Sequence, residues 1–225
     1  MARVTFAPEE LAELDRAGRR VQYRAREFCY LQGDPGDSVF VLRSGRVRLS
    51  RITNDGREFT LAYLKPGEPF GELALVDGAP RETVAEAVED SEVTVVRVDD
   101  LEALLARRPA LAIKFTKLLG QRNKVMADKV EDLVFRDVPA RLAGLLLALA
   151  SDFGVGGERG TRFPFKITHR ELAACIGSSR ETVSQTLTLF ARDRLIARSG
   201  RQIIITAPDG LSRLVGRGSP SGGER

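Results

Sequence analysis

The chain has 225 residues, 43% hydrophobic and 29% charged, with a formal net charge of +4, a size that serves one large domain or two modest ones. Its longest near-continuous apolar stretch, Leu142 to Ala150, is too short to span a bilayer, and the start Met-Ala-Arg-Val-Thr lacks the apolar core of a secretory signal. Cys29 and Cys175 are too few for a disulfide framework, so the expectation is a cytoplasmic protein with reduced thiols and no membrane partner.

Charge is unevenly spread. Residues 1–137 hold 22 Lys+Arg against 24 Asp+Glu, a balance of −2, whereas residues 138–225 hold 13 against 7, a balance of +6. A basic half joined to a near-neutral half suits a polyanion-binding module on a separate carrier.

In chain order, Val21 to Val98 reads as short strands divided by turn signals. Gly33-Asp34-Pro35-Gly36-Asp37, Ser44-Gly45, Asn54-Asp55-Gly56, Pro66-Gly67 and Asp77-Gly78-Ala79-Pro80 bound β-favouring runs such as Phe59 to Leu64 and Val93 to Val98. This pattern predicts an antiparallel barrel or jelly roll over residues 1–108. The period then changes. Leu111, Phe115, Leu118, Leu119, Val125, Met126, Val130, Leu133 and Val134 form one apolar stripe at helical spacing. A helix over 109–137 would outrun a small barrel, so part of the stripe is expected to pair in parallel with a second copy of the chain.

Asp137-Val138-Pro139 breaks and restarts the helix, and a separate domain is placed at 138–207. Leu142 to Leu149 continues as a buried helix, and Phe153 to Gly160 reads as an exposed Gly-rich loop. Two capping boxes follow, Thr168 with Glu171 and Ser178 with Glu181, with Gly177 in the turn between them. Two short capped helices joined by a Gly turn make a helix-turn-helix. Arg194 to Arg198, the turn Ser199-Gly200 and Arg201 to Thr206 add a β-hairpin, the wing. Residues 208–225 are read as a partly disordered tail, rich in Gly and Ser from Gly216 onward.

In a helix-turn-helix the first turns of the second helix enter the major groove of duplex DNA. Arg180, Glu181 and Gln185 share its exposed side; Arg pairs bidentately with G, Glu accepts from the C amino group, and Gln pairs with A. Thr168, His169, Ser178, Ser179 and Thr182 lie near helix starts, suited to phosphate oxygens. The expected function is sequence-specific binding of double-stranded DNA. Enzymatic activity is not expected. A cupin-type roll would need histidines on its strands, yet residues 21–98 contain none, and no P-loop or nucleophile–His pair is present.

The chain resembles the cyclic-AMP receptor protein/FNR family of bacterial regulators. Gly177-Ser178-Ser179-Arg180-Glu181-Thr182-Val183 is similar to the family's recognition element. Phe70-Gly71-Glu72-Leu73-Ala74-Leu75 with Pro80-Arg81 resembles its phosphate-binding cassette, and Phe135 to Val138 its domain junction. The resemblance implies an α+β fold: an N-terminal β-roll, a long dimerisation helix and a C-terminal winged helix-turn-helix. It also implies a homodimer on a near-palindromic operator that recruits RNA polymerase.

For an effector, the resemblance offers Gly71 and the amides around Leu73 as a phosphate cradle, Arg81 as the phosphate's cation, Glu72 for the ribose hydroxyl and Arg122 on the long helix. It departs at three positions. Glu82 stands where a Ser contacts phosphate, and Met126 and Ala127 stand where Thr and Ser contact adenine. Two readings stay open: a cyclic nucleotide (cyclic AMP or another) gates the protein, or Glu72 and Arg81 pair with each other in a vestigial pocket. A nucleotide sensor acting on a protein partner is a third. No metal, iron–sulfur cluster or haem is expected from two Cys and one His.

Overall fold

The computed structural model describes residues 4–199 and 202–217. Its chain divides into two compact units, one ending at Val125 and the other beginning at Met126. The division falls inside the long helix, ahead of the break at Asp137-Pro139.

In the first unit, helix α1 (Pro8–Ala17) precedes strands β1 (Arg19–Tyr23), β2 (Phe28–Tyr30), β3 (Ser38–Ser44), β4 (Val47–Ile52), β5 (Glu58–Leu64) and β6 (Pro69–Phe70). The short helix α2 (Ala74–Asp77), strands β7 (Val84–Ala87) and β8 (Ser91–Arg97), and helix α3 (Val98–Arg107) lead to helix α4 (Pro109–Phe135). The strands form two antiparallel sheets, ordered β1-β8-β3-β6 and β2-β7-β4-β5.

The β3 run Val39-Phe40-Val41-Leu42 is apolar at every position because its sheet is covered on both faces. Val39 and Val41 face a core with Leu14 of α1, Leu101 and Leu104 of α3, and Leu111 and Phe115 of α4. Phe40 and Leu42 face the opposite way, between the sheets, with Tyr30, Val47, Leu64 and Phe70. The helices α1 and α3 add to the strand pattern read from the sequence. Pro8 at the helix start and Glu9 and Glu10 in its first turn are the signals that mark α1.

The 27-residue α4 is about 40 Å long at 1.5 Å per residue. Its stripe changes character midway: Leu111, Phe115 and Leu118 are buried, while Val125, Met126, Val130, Leu133 and Val134 are exposed.

In the second unit, α5 (Val138–Phe153) is capped by Asp137, whose carboxylate accepts from the Ala140 amide at 2.8 Å. Then come β9 (Val155–Gly157), β10 (Gly160–Arg162), α6 (His169–Ile176), α7 (Arg180–Arg192), β11 (Ile196–Ser199), β12 (Gln202–Ile205) and α8 (Pro208–Arg217). Leu142, Leu146, Leu172, Val183, Leu187, Ile205 and Leu211 are fully buried here.

Two expectations are corrected. The Gly-rich stretch after Phe153 is the hairpin β9–β10, and β10 pairs with β12, so the wing belongs to a four-stranded sheet ordered β11-β12-β10-β9. Residues 208–217, read as tail, form α8, which packs on α5 and buries Leu211. The rest of that tail, 218–225, and the wing-tip residues Gly200 and Arg201 lie outside the described residues.

Candidate nucleic-acid interface and anion pocket

The α6–α7 pair is built by local rules. Thr168 caps α6: its hydroxyl accepts from the Glu171 amide at 3.2 Å, and the Glu171 carboxylate accepts from the Thr168 amide at 2.6 Å and its hydroxyl at 2.8 Å. Gly177 ends α6 in the left-handed region at φ +60°, and the Ser178 amide donates back to Ala173 O at 3.1 Å. A Cβ on residue 177 would lie 2.9 Å from Leu133 Cδ2, the end of an exposed, flexible side chain that can shift, so it is the left-handed conformation that calls for glycine at this turn.

That closure moves the next helix start by one residue. Ser178, occupied in ending α6, is not the cap of α7. Ser179 is, accepting from the Thr182 amide at 3.1 Å with its hydroxyl 2.9 Å from that of Thr182. The expected Ser178–Glu181 capping box does not form, and Glu181 is thereby left exposed.

Arg180, Glu181 and Gln185 all stand exposed on the first turns of α7, with no ion pair or side-chain hydrogen bond among the described residues. Behind them Val183, Leu187 and Phe190 anchor the helix in the core. The phosphate candidates differ from one another. The hydroxyls of Thr168, Ser179 and Thr182 are engaged in capping, whereas that of Ser178 has no partner among the described residues. His169, the first residue of α6, is half-buried; burial, then Arg198 and Arg180, hold its pKa below the ordinary histidine value of 6.5. Arg198, on β11, belongs to the same surface, a placement that the sequence shows only as membership of the wing.

The first unit treats charge differently. Glu72, 4% exposed, forms an ion pair with Arg122 of α4, which also donates to Pro69 O at 2.5 Å. The alternative of a Glu72–Arg81 pair is therefore corrected: the buried carboxylate is taken by Arg122. Arg81, 7% exposed, has no ion pair among the described residues. Its guanidinium lies 4.6 Å from the Tyr30 ring centroid and 5.4 Å from that of Phe40. It donates to Gly71 O at 2.9 Å and Ser38 O at 2.5 Å, while its buried Nε lacks a partner. Burial lowers its pKa, and Tyr30, Asp37, Asp34 and Glu72 only partly offset that.

Gly71 follows β6 at φ +71°, and a Cβ there would meet Arg81 Nη1 at 2.9 Å. The amides of Gly71, Glu72 and Leu73 make no hydrogen bond among the described residues; those of Ala74, Leu75 and Val76 turn back to Gly71, Glu72 and Leu73 carbonyls. Leu73 is exposed. Glu82 points away, its side chain 62% exposed and 3.5 Å from Arg51, so repulsion of a phosphate at Arg81 is not built in. Met126 is exposed and lies in the second unit.

The pocket therefore passes a test of fit for an anion: a buried cation with no ion pair among the described residues sits beside amides that make no hydrogen bond among them. A separate cavity of about 530 Å³ reaches Arg81 from walls on β1, β2, β3 and β8, and Gly71, Glu72 and Arg122 do not line it. Cys29 lies in its wall, and burial pushes the thiol pKa up to about 12. Among the described residues there is no group of three or more His, Cys, Asp or Glu placed to hold a metal, and no helix long and apolar enough to cross a membrane.

Comparison with known proteins agrees with both halves. Residues 20–108 match the cyclic nucleotide-binding domain, and residues 140–214 match the Crp-like helix-turn-helix domain. The chain is 38% identical over 192 residues to the cyclic AMP receptor protein of Thermus thermophilus, covering 85% of each chain. It is 32% identical over 206 residues to a CRP-like cAMP-activated global transcriptional regulator of Mycobacterium tuberculosis, covering 92% of each. Among solved structures, a CRP/FNR-family transcriptional regulator from Thermus thermophilus superposes with a TM-score of 0.76 at 29% identity, covering 88% of this chain and 98% of that one.

Proposed function

The chain belongs to the CRP/FNR family of helix-turn-helix transcription regulators, and from that premise we propose how its own residues divide the work. α7 reads an operator in the major groove: Arg180 pairs with a G, Glu181 accepts from a C amino group and Gln185 pairs with an A. The observation that carries this reading is the exposure of all three on a capped helix, with no internal partner among the described residues to compete for them. Thr168, His169, Ser178, Ser179 and Thr182 set the helix against the phosphate backbone, together with the amides of the two helix starts.

The protein acts as a homodimer joined along α4. Val125, Met126, Val130 and Val134 are exposed on its second half, whereas Leu111, Phe115 and Leu118 on its first half are buried. A continuous exposed apolar stripe on a long helix favours a parallel partner of the same kind. Two recognition helices then meet half-sites about one helical turn apart, roughly 10–10.5 bp. On DNA the dimer recruits RNA polymerase.

The roll takes an anionic effector, a cyclic nucleotide. Arg81 supplies the phosphate's counter-charge, the amides of Gly71, Glu72 and Leu73 donate to it, and Glu72, oriented by Arg122, accepts from a sugar hydroxyl. Glu82 takes no part. Met126 and Ala127 carry no hydrogen-bonding side chain for a base, so discrimination between cyclic AMP and cyclic GMP is weak. A second reading is supported by the same pocket: Arg81 already donates to two carbonyls and Glu72 is already paired, which also suits an effector-independent regulator. Selection of duplexes from a random pool, with and without saturating cyclic AMP or cyclic GMP, tests both. Enrichment of a near-palindrome upholds the DNA reading. An operator affinity unchanged by either nucleotide, with no binding heat on calorimetric titration, leaves the effector-independent form.

A further inference from the structure

The β2–β3 loop, Gly33-Asp34-Pro35-Gly36-Asp37, is fastened to Arg81. The Gly33 amide donates to Arg81 O and the Arg81 amide to Asp34 O, both at 2.8 Å. The guanidinium reaches the end of the same loop, where Nη2 donates to Ser38 O at 2.5 Å. Gly36 is buried so close to the α2–β7 connection that a Cβ there would lie 2.1 Å from Ala79 O. The loop is thus held in place, and it carries two carboxylates with it. Asp34 accepts from the Leu31 amide at 2.7 Å and Asp37 from the Ser38 hydroxyl at 2.8 Å, and each has a second carboxylate oxygen with no hydrogen bond among the described residues.

Arg81, Asp34 and Asp37 all line the cavity of about 530 Å³. Ser38, which takes Nη2, lines it too, whereas Gly71, which takes Nη1, does not. One edge of the guanidinium therefore serves the Gly71 side and the other edge serves the cavity. Arg81 is 7% exposed, has no ion pair among the described residues and keeps an unpartnered Nε. Beside these charges the wall is apolar, formed by Tyr23, Cys29 and Val95. A lone anion entering here would meet Asp34 and Asp37, and a lone cation would meet Arg81. A ligand that carries both charges on neighbouring atoms answers all three groups.

We infer that this cavity is a second small-molecule site of the roll, for a free α-amino acid with an apolar side chain. Its carboxylate meets the Nη2 edge of Arg81, its ammonium meets Asp34 and Asp37, and its side chain lies on Tyr23 and Val95. The cavity has the size of a small-molecule site, roughly 300–1,000 Å³. The inference does not rest on the nucleotide reading, which uses the Gly71 edge, the cassette amides and Glu72. Arg81 is common to both sites, so an amino acid and a nucleotide compete for it.

The test uses full-length protein free of nucleotide, with L-phenylalanine as the probe, followed by calorimetry and by alkylation of Cys29. Saturable binding that slows the alkylation is expected. Hydrocinnamate, which lacks the ammonium, and phenethylamine, which lacks the carboxylate, should each bind about tenfold or more weakly, because each leaves a charge of the site unanswered. Asp34→Asn with Asp37→Asn keeps the acceptors for Leu31 and Ser38, and should weaken L-phenylalanine by about tenfold or more while sparing the Gly71 side. Arg81→Met should abolish amino-acid binding, and a cooperative urea transition shows that each variant folds. Hydrocinnamate binding as tightly as L-phenylalanine, unchanged affinity in the double aspartate variant, or unchanged Cys29 alkylation at saturation each overturns the inference. So does the absence of binding by both L-phenylalanine and L-leucine at millimolar concentration. Cyclic-nucleotide binding that persists in any of these cases leaves the effector reading standing, and amino-acid binding without nucleotide binding upholds the inference alone.

Discussion

The two units handle charged side chains in opposite ways. In the roll, Glu72 is withdrawn from water and closed by Arg122, and Arg48 bridges Glu58 and Glu86 at 3.0 and 2.5 Å. In the second unit, Arg180 and Glu181 stand side by side in solvent and pair with nothing among the described residues. The difference follows from what burial demands. A charge taken out of water needs a partner inside the protein, whereas an exposed one can be kept for a partner from outside. Arg81 breaks the pattern of its own unit, being buried like Glu72 and uncommitted to any anion like Arg180. On the proposed reading, that combination makes it the charge that meets the roll's effector.

Four substitutions sharpen or break this contrast. The largest effect is expected for Glu72→Ala, which strands Arg122. Unfolding in urea should show a loss of about 2–3 kcal/mol, below the range for a fully buried pair because Arg122 keeps access to water. If Glu72→Ala unfolds at the wild-type urea midpoint, the pair is not the roll's internal lock. Next comes Arg180→Ala, expected to weaken operator binding by about 1–3 kcal/mol and to relax preference at one G·C pair per half-site. Its stability should stay within about 0.5 kcal/mol of wild type. Equal weakening on all sequences would demote Arg180 to a phosphate contact. Thr168→Ala removes the α6 cap and should cost about 1 kcal/mol of stability in the second unit, read as a lower thermal midpoint. The smallest effect is expected for Arg81→Met. The loss of two hydrogen bonds to carbonyls is offset by relief of an unpaired buried cation, so stability changes by less than about 1 kcal/mol while calorimetric binding of cyclic nucleotide disappears. A stability loss as large as that of Glu72→Ala would mean that Arg81 is structural.

Much of this organisation is legible in the sequence wherever the deciding interactions are local. Turn residues bound the strands, the apolar period marks α4, and the Thr168–Glu171 box is made within four residues. Legibility ends where distant segments decide. The cap at Ser179 depends on how α6 closes at Gly177, which uses up Ser178. The β9–β10 hairpin reads as a loop because its glycines carry no β signal; its pairing with β12 supplies what the local sequence lacks. α8 holds two glycines, Gly210 and Gly216, which weaken any local helix signal, and it is stabilised by packing on α5 and by the burial of Leu211. The partner of Glu72 is an arginine on a helix that follows the whole roll. The proposed base-reading residues need none of this, since exposed side chains on a capped helix are positioned by the helix alone.

Cys29 gives the roll a built-in reporter of its cavity wall. It is partly exposed there, and burial pushes its thiol pKa up to about 12, so at neutral pH it should alkylate more slowly than an ordinary cysteine, at a rate that mass spectrometry follows. A ligand that pairs with Arg81 in the same wall should slow the labelling in proportion to its occupancy. An unmodified wild-type chain then becomes a binding assay in which no nucleotide has to carry a label.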